Sequence, residues 1–329
     1  MTRKIFNSVS FFFILCIYSC ANGSTQTLIE KTNPSNLLAI AHRGASGHRP
    51  EETLPAFELA IDLGSDYIEF DLVSTKDGVL IARHENEISK TTDVEKKFPE
   101  KKRTKVIDGE NITGWFSEDF TIKEIRSLRA KERLAGRDHS YDGQFQVATL
   151  EDILTLVQKK TKELKRTIGI YPEVKHPSYF STIGLPLEEK LLVTLKAFGY
   201  AKKEDALFIQ SFEPSSLKKL RTLAPFKLIQ LVGTNVYLKK DNLREIRTYA
   251  EGIGPHKLTL LKDPSIVSLA HELGLLVHAY TFRNDPPFLD SKYQGDPLKE
   301  YYEYFNLGVD GVFSDFPETA IEARRNSSF

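Results

Sequence analysis

Cysteine is almost missing from this 329-residue chain: there are two, Cys16 and Cys20, alongside a single methionine and a single tryptophan. Both cysteines stand near the start, so no disulfide framework can staple the rest of the chain, and the fold must rest on its hydrophobic core. The chain is long enough to bury one as a single large α/β domain. An excess of either charge is also missing, with 45 Lys+Arg against 45 Asp+Glu. That balance excludes the basic footprint expected of a nucleic-acid binder. The apolar stretch Val9–Tyr18 (VSFFFILCIY) is too short to cross a bilayer as a permanent helix.

That stretch does fit a leader. Arg3 and Lys4 precede it and Ser19-Cys20-Ala21-Asn22 follow it, the charge, apolar core and small residues of a signal peptide in the right order. Residues 1–19 are therefore expected to be removed, leaving 43 basic against 45 acidic residues and a formal charge of −2. Ile17-Tyr18-Ser19-Cys20 resembles a bacterial lipobox, with Tyr18 standing where a small residue is usual. On that reading Cys20 is lipidated, and acyl chains contributing about 0.8 kcal/mol per buried methylene anchor the protein to a membrane. Without lipidation it is secreted or periplasmic. Residues 20–36 are polar, with Pro34 near the end, and read as a flexible tether.

From residue 37 short apolar runs alternate with amphipathic stretches, the pattern of βα units and a parallel sheet. Strands are expected at Leu37–Ala41, Tyr67–Val73, Val79–Ala82, Ile168–Val174, Leu207–Gln210, Lys227–Val232, Gly252–Gly254, Leu275–Tyr280 and Gly311–Phe313. Helices are expected at Thr53–Leu63, Leu187–Phe198, Pro214–Leu223, Leu238–Ala250, Pro264–Leu273 and Leu298–Phe305, with Gly64, Gly199 and Gly274 closing three of them. The count and length predict a (β/α)8 TIM barrel over 37–325; an open doubly wound sheet has the same periodicity. Residues 85–150 break the rhythm with charged, loop-rich sequence, as an inserted subdomain would. The run Lys96–Lys105 reads as a solvated face.

Polar residues recur at the ends of the predicted strands, where a barrel builds its site. LLAIA runs into His42-Arg43-Gly44, YIEFDLV carries Glu69 and Asp71 on one face, and VLIA is followed by Arg83-His84-Glu85. IGIYPEV carries Glu173 with Lys175 two beyond, LFIQ ends in Gln210, and LLVHAY in Tyr280. Carboxylates facing into a barrel need a cation or donors, and Glu69, Asp71 and Glu173 form an all-oxygen set suited to Ca2+ or Mg2+. Pairing with Arg43 or Lys175 as buried salt bridges is the structural alternative. His42 and His84 are candidate proton carriers, whereas His278 inside its strand reads as a core residue. Arg43 and Lys175 suit a phosphate, and Gly44 serves either a close ligand approach or an ordinary turn. Together these residues point to phosphoryl chemistry.

His42-Arg43-Gly44-Ala45-Ser46-Gly47 with Pro50-Glu51-Glu52-Thr53-Leu54-Pro55-Ala56-Phe57 resembles the opening motif of the glycerophosphodiester phosphodiesterases. Glu69-x-Asp71, His84, IYPEVK at 170–175, Gln210-Ser211-Phe212 and GVDGVFSDFP at 308–317 continue the resemblance in order, over about residues 36–325. IGIYPEVKHP, YAEGIGP, LVHAYTFRND and the long insertion are most similar to the bacterial periplasmic branch. The resemblance implies a TIM barrel, Ca2+ dependence with Mg2+ as the alternative, and small glycerophosphodiester substrates cut to sn-glycerol 3-phosphate and an alcohol. It implies His42 and His84 as the acid/base pair, Glu69, Asp71 and Glu173 as metal ligands, and Arg43 and Lys175 as phosphate holders. Glu51 falls at an acidic position behind the metal ligands, and Gln210, Tyr280 and Phe282 where the family lines its glycerol pocket. Placement is expected in the periplasm or outer membrane of a bacterium, with membrane contact through the N-terminal lipid only; a homodimer is left open.

The chain departs from the family after the second histidine, where Glu85, Ser89 and Lys90 replace the usual acidic and Asp-Arg positions. Glu85 can still orient His84. Two other readings remain: a phospholipase-type relative such as a sphingomyelinase D, and a surface lipoprotein whose main role is binding a host protein. The long insertion and IGIYPEVKHP favour the small-diester enzyme.

Overall fold

The computed structural model of the chain describes residues 37–234 and 238–327. The leader, Cys20 and the tether lie outside the described residues, and among those described no helix is long and apolar enough to cross a membrane. The strands are β1 (Leu38–Ala41), β2 (Tyr67–Ser74), β3 (Leu80–Ala82), β4 (Arg103–Ile107), β5 (Glu110–Gly114), β6 (Gly169–Val174), β7 (Phe208–Ser211), β8 (Lys227–Val232), β9 (Gly252–Pro255), β10 (Leu276–Phe282) and β11 (Gly311–Ser314). Parallel pairing runs β1-β11-β10-β9-β8-β7-β6-β2 and returns from β2 to β1, so eight strands close a barrel. Closure excludes the open sheet.

Within that sheet β3 is the one strand outside the ring. It pairs antiparallel with the far end of β2, Leu72 opposite Ala82 and Ser74 opposite Leu80. Only the Thr75–Val79 turn separates them, closed by the Thr75 amide donating to the Val79 carbonyl at 3.0 Å. A parallel return needs a crossover of about a dozen residues, so a hairpin is the only way back. The predicted helices are present: Leu54–Asp62, Leu187–Ala197, Lys240–Arg247 and Ser265–Glu272 with trimmed ends, Pro214–Leu223 as expected, and Pro297–Leu307 longer at both ends. Thr53 caps the first, its hydroxyl accepting from the Ala56 amide. A further helix, Leu150–Leu164, follows the insertion and starts with a capping box between Thr149 and Asp152.

Inside the barrel Ile40, Tyr171, Phe208, Ile229 and Phe313 form a buried floor. Tyr171 stacks on Phe208 with ring centres 5.0 Å apart. Gly169 makes room for this layer, since a Cβ there would meet the Tyr67 ring at 2.3 Å. Strand side chains repeat every two residues, so Ile40, Tyr171 and Phe208 stand one layer beneath His42, Glu173 and Gln210. His278 is fully buried beside this floor, its Nδ1 2.9 Å from the Tyr171 hydroxyl, in keeping with its reading as a core residue.

Between β3 and the Leu150–Leu164 helix, β4 and β5 form a hairpin whose turn residues Asp108 and Gly109 both have positive φ, 49° and 86°. Part of the Lys96–Lys105 run is engaged within this segment rather than only solvated: Lys101 reaches Glu124 at 2.6 Å and Lys105 reaches Glu118 at 2.7 Å. Its aromatic residues Phe98, Trp115 and Phe120 give the insertion apolar packing continuous with the main core.

Burial pushes the His278 imidazole down from 6.5 to about 4. The unfolded ring takes up a proton near pH 6.5 that the folded ring refuses until about pH 4, so this contribution is complete above pH 6.5 and is lost as pH falls. The slope is at most about 1.4 kcal/mol per pH unit. His278→Asn is expected to flatten the loss of stability between pH 7 and pH 5 in urea titrations; an unchanged pH dependence would refute the assignment.

Candidate active site and cation site

His42 and Arg43 leave the end of β1 in a tight reversal, with Arg43 at φ 57° and Gly44 at φ 80°. A Cβ at Gly44 would lie 2.7 Å from the Ala56 backbone, so the glycine lets the loop press against the Leu54–Asp62 helix. Its close approach in this structure is to that helix. The Ala45 amide completes the contact by donating to the Ala56 carbonyl at 2.9 Å.

Register brings the carboxylates together. Asp71 on β2 stands opposite Glu173 on β6, and Glu173 opposite Gln210 on β7. Glu69, Asp71 and Glu173 are all buried, with ligand oxygens within 4.8 Å of one another. The Arg43 amide donates to Glu69 at 2.8 Å, and its Nε lies 3.1 Å from Asp71. The Lys175 ammonium lies 3.0 Å from Glu173, and Gln210 Nε2 donates to Glu69 at 3.1 Å.

These donors do not fully offset the cluster. Burial, then Asp71, drives the Glu69 carboxyl well above its usual range; burial, then Asp71 against the opposing pull of Lys175, takes Glu173 to about 8. Burial would raise Asp71 too, but His84, Lys175 and Arg43 outweigh it and hold Asp71 low. Among the described residues neither Asp71 oxygen has a well-aligned donor. An all-oxygen trio that would otherwise have to hold protons, with an undonated carboxylate at its centre, fits a hard divalent cation.

The histidines are tied down in the same way. His42 Nδ1 lies 2.6 Å from Asp315 Oδ1, and His84 Nδ1 lies 2.8 Å from Glu85 Oε1. A carboxylate on Nδ1 fixes the tautomer and leaves Nε2 for the cavity. Burial, helped by Arg43 and opposed by Asp315, lowers His42 to about 4; burial, Arg43 and Lys175 lower His84. Both rings are thus neutral at neutral pH before a substrate arrives.

A cavity of about 170 Å³ opens here, lined by His42, Arg43, Glu69, His84, Glu173 and Gln210. Phe212, Leu231, His256, Tyr280, Thr281, Arg283 and Phe313 complete the lining. Tyr280 donates its hydroxyl to the Val232 carbonyl at 3.0 Å and meets Phe212 and His256 edge to face.

One expected site residue takes another position. Phe282 is fully buried outside the cavity, stacked on Tyr301 with centres 4.8 Å apart. Counting by twos puts it beside Tyr280, but the pairing of β10 with β11 shifts between Ala279 and Phe282, and that irregularity turns Phe282 outward and Thr281 inward. Glu51 holds Arg43 Nη1 at 3.2 Å and Arg133 Nε at 2.8 Å, so it stands behind Asp71 through the Arg43 guanidinium. Lys175 sits at the edge, its ammonium 3.4 Å from His84 Nε2. Asp315 went unremarked as a site residue in the sequence, although it follows β11 directly, the strand-end position that marked the others. Arg137 and Arg283 also reach Asp315, at 2.6 and 2.8 Å; nothing local in the sequence announces Arg137. Of the departures, Glu85 holds His84, Ser89 bonds Glu87 at 3.0 Å, and Lys90 is exposed.

Calcium at about 100 times its dissociation constant is expected to stabilise the wild-type protein by about 2.7 kcal/mol in thermal unfolding. Glu69→Gln should lose that gain while unfolding no earlier than wild type without the ion, because it replaces a carboxyl that is costly to ionise there. An equal calcium shift in both proteins would sink the cation site.

Residues 42–319 match the model of the glycerophosphoryl diester phosphodiesterase family. A glycerophosphodiester phosphodiesterase of Arabidopsis thaliana is 36% identical over 331 residues, covering 90% of this chain and 87% of the plant protein. The Haemophilus influenzae glycerophosphodiester phosphodiesterase is 34% identical over 338 residues, covering 88% and 90%. In fold, the chain is similar to an Oleispira antarctica phosphodiesterase solved in complex with the product sn-glycerol-3-phosphate, with TM-score 0.65 at 22% identity, covering 87% of this chain and 96% of that one. The barrel with its strand-end histidines and acidic trio, together with these matches across most of the chain, shows that the protein belongs to the glycerophosphoryl diester phosphodiesterase family and is an enzyme of that class.

Proposed function

We propose that this enzyme hydrolyses small glycerophosphodiesters such as glycerophosphocholine, glycerophosphoethanolamine and glycerophosphoglycerol to sn-glycerol 3-phosphate and an alcohol. The observation that carries the reading is the meeting of His42, His84 and Arg43 with the acidic trio at one cavity. A divalent cation, Ca2+ by preference over Mg2+, would be held by Glu69, Asp71 and Glu173 and supplies positive charge against the phosphate oxygens.

His42 is the base. Its Nδ1 proton is held by Asp315, so its Nε2 takes a proton from the attacking hydroxyl while the carboxylate stabilises the imidazolium that forms. His84 is the acid. A bound phosphodiester anion offsets Arg43 and Lys175, the charges that lower the His84 pKa, and so favours the protonated ring that the leaving alkoxide needs. Arg43 offers the phosphate a guanidinium already oriented by Glu51, and Lys175 offers a point charge. Attack by a glycerol hydroxyl expels the head-group alcohol and forms a cyclic phosphate, which water opens with the two histidines exchanging roles. Gln210 and Tyr280 border the remaining space and suit the glycerol moiety.

The N-terminal sequence supports export, with Cys20 carrying a lipid that holds the domain at a membrane. Cys20→Ser expressed with its leader in a bacterium should move the protein from the membrane fraction to the soluble exported fraction; membrane retention would overturn the anchor.

Release of glycerol 3-phosphate from glycerophosphocholine is the direct assay. Wild type should be active, a calcium chelator should abolish the activity, and His42→Ala should lower it on the order of 100- to 10,000-fold. Activity on phosphatidylcholine or sphingomyelin liposomes with none on glycerophosphocholine would instead assign the site to intact lipids.

A further inference from the structure

Three carboxylates stand behind the groups assigned to the reaction, and each is shared with a second partner. Asp315 holds His42 through Oδ1 and receives Arg137 Nη2 on Oδ2 at 2.6 Å. Glu51 accepts from Arg43 Nη1 and, on Oε2, from Arg133 Nε at 2.8 Å. Glu85 holds His84 through Oε1 and lies 3.0 Å from His176 Nε2 through Oε2. The other nitrogen of His176 lies 2.6 Å from Asp108 Oδ2, at the turn of the β4–β5 hairpin. Arg137, Arg133 and Asp108 all belong to the segment inserted between β3 and the Leu150–Leu164 helix.

We propose that the inserted segment is a clasp for the catalytic groups, in which Arg137, Arg133 and Asp108 are positioning residues that orient His42, Arg43 and His84 through Asp315, Glu51 and the Glu85–His176 pair. The inference rests on the acid–base roles proposed above.

Arg137 is the strongest arm. Its side chain is only 4% exposed, and its guanidinium forks onto both oxygens of Asp285 at 3.0 and 2.7 Å while also donating to the Ser46 carbonyl at 2.9 Å. That many fixed bonds define the position of Asp315 far better than an exposed ion pair does. Arg283, at the end of β10, supports the same Asp315 oxygen from the barrel side at 2.8 Å. Loss of Arg137 therefore loosens Asp315 without stripping it of cations, and the effect on turnover is graded. Asp108 is the opposite case: its side chain is 55% exposed, so its bond to His176 contributes little to stability. An effect of Asp108 on turnover would thus report orientation. Its φ of 49° is one that Asn tolerates, so Asp108→Asn leaves the hairpin turn intact.

The test measures kcat and KM for glycerol 3-phosphate release from glycerophosphocholine with calcium present. Arg137→Met is expected to lower kcat on the order of 100-fold, with KM nearly unchanged, the cost of a misplaced catalytic group. Combined with Asp315→Asn it should lose little more than Asp315→Asn alone, because both act on His42. Asp108→Asn should lower kcat several-fold, and guanidinium ion added to Arg137→Ala should restore part of the rate. Arg126→Met is the control: this insertion arginine pairs with Asp152 and the Val147 carbonyl, away from the cavity, and kcat should not change. Wild-type kcat in folded Arg137→Met, or losses that multiply in the double variant, would overturn the clasp. If Arg137→Met does not fold, Asp108→Asn decides, and wild-type kcat there overturns it equally. Full activity in His42→Ala would instead overturn the acid–base reading on which the clasp depends.

Discussion

Three carboxylates crowded into the mouth of a barrel, out of water, set the terms for everything around them. Each costs several kcal/mol to bury as a lone ion, and Glu69, Asp71 and Glu173 lie within 4.8 Å of one another. Arg43 responds with its amide on Glu69 and its guanidinium between Asp71 and Glu51. Lys175 and Gln210 take the outer edges. These donors leave Asp71 without a well-aligned partner, which is what gives the cluster its appetite for a cation. Burial and the same cations that steady the trio also keep protons off the histidines, so the acidic cluster and the two imidazoles are parts of one electrostatic arrangement.

Most of this was legible in the chain because barrel strands obey a simple rule. Side chains repeat by twos, and polar residues at strand ends face the mouth. His42, Glu69, Asp71, Glu173, Gln210 and Tyr280 all follow from it. Phe282 does not, because a pairing irregularity in β10 inverts the count after Ala279, and a run such as HAYTF carries no local mark of that shift. Asp315 was within reach of the rule, since it directly follows β11. The antiparallel turn of β3 was also readable in principle: the few residues after Ser74 leave no room for a crossover.

Pattern fails where contacts join distant parts of the chain outside any regular element. Arg137 lies in an irregular loop and bonds Asp315, 178 positions away. No periodicity, spacing or composition predicts that pairing, and only the folded insertion brings the two together. The same holds for Asp108, whose place is set by a two-residue turn but whose partner His176 comes from the loop after β6. Precision at the site thus draws on contacts that are invisible in any short window of sequence.

The aromatic floor closes one end of the barrel. Tyr171, Phe208 and Phe313 seal the interior one layer below the reacting groups, and the cavity sits above them. A chamber with one doorway makes arrival and departure share a path. On the reaction proposed above, the released alcohol and the phosphate-bearing product would both leave past the residues that line that mouth, Phe212 and Tyr280 among them. A layer of rings beneath the site thus sets the direction of both journeys.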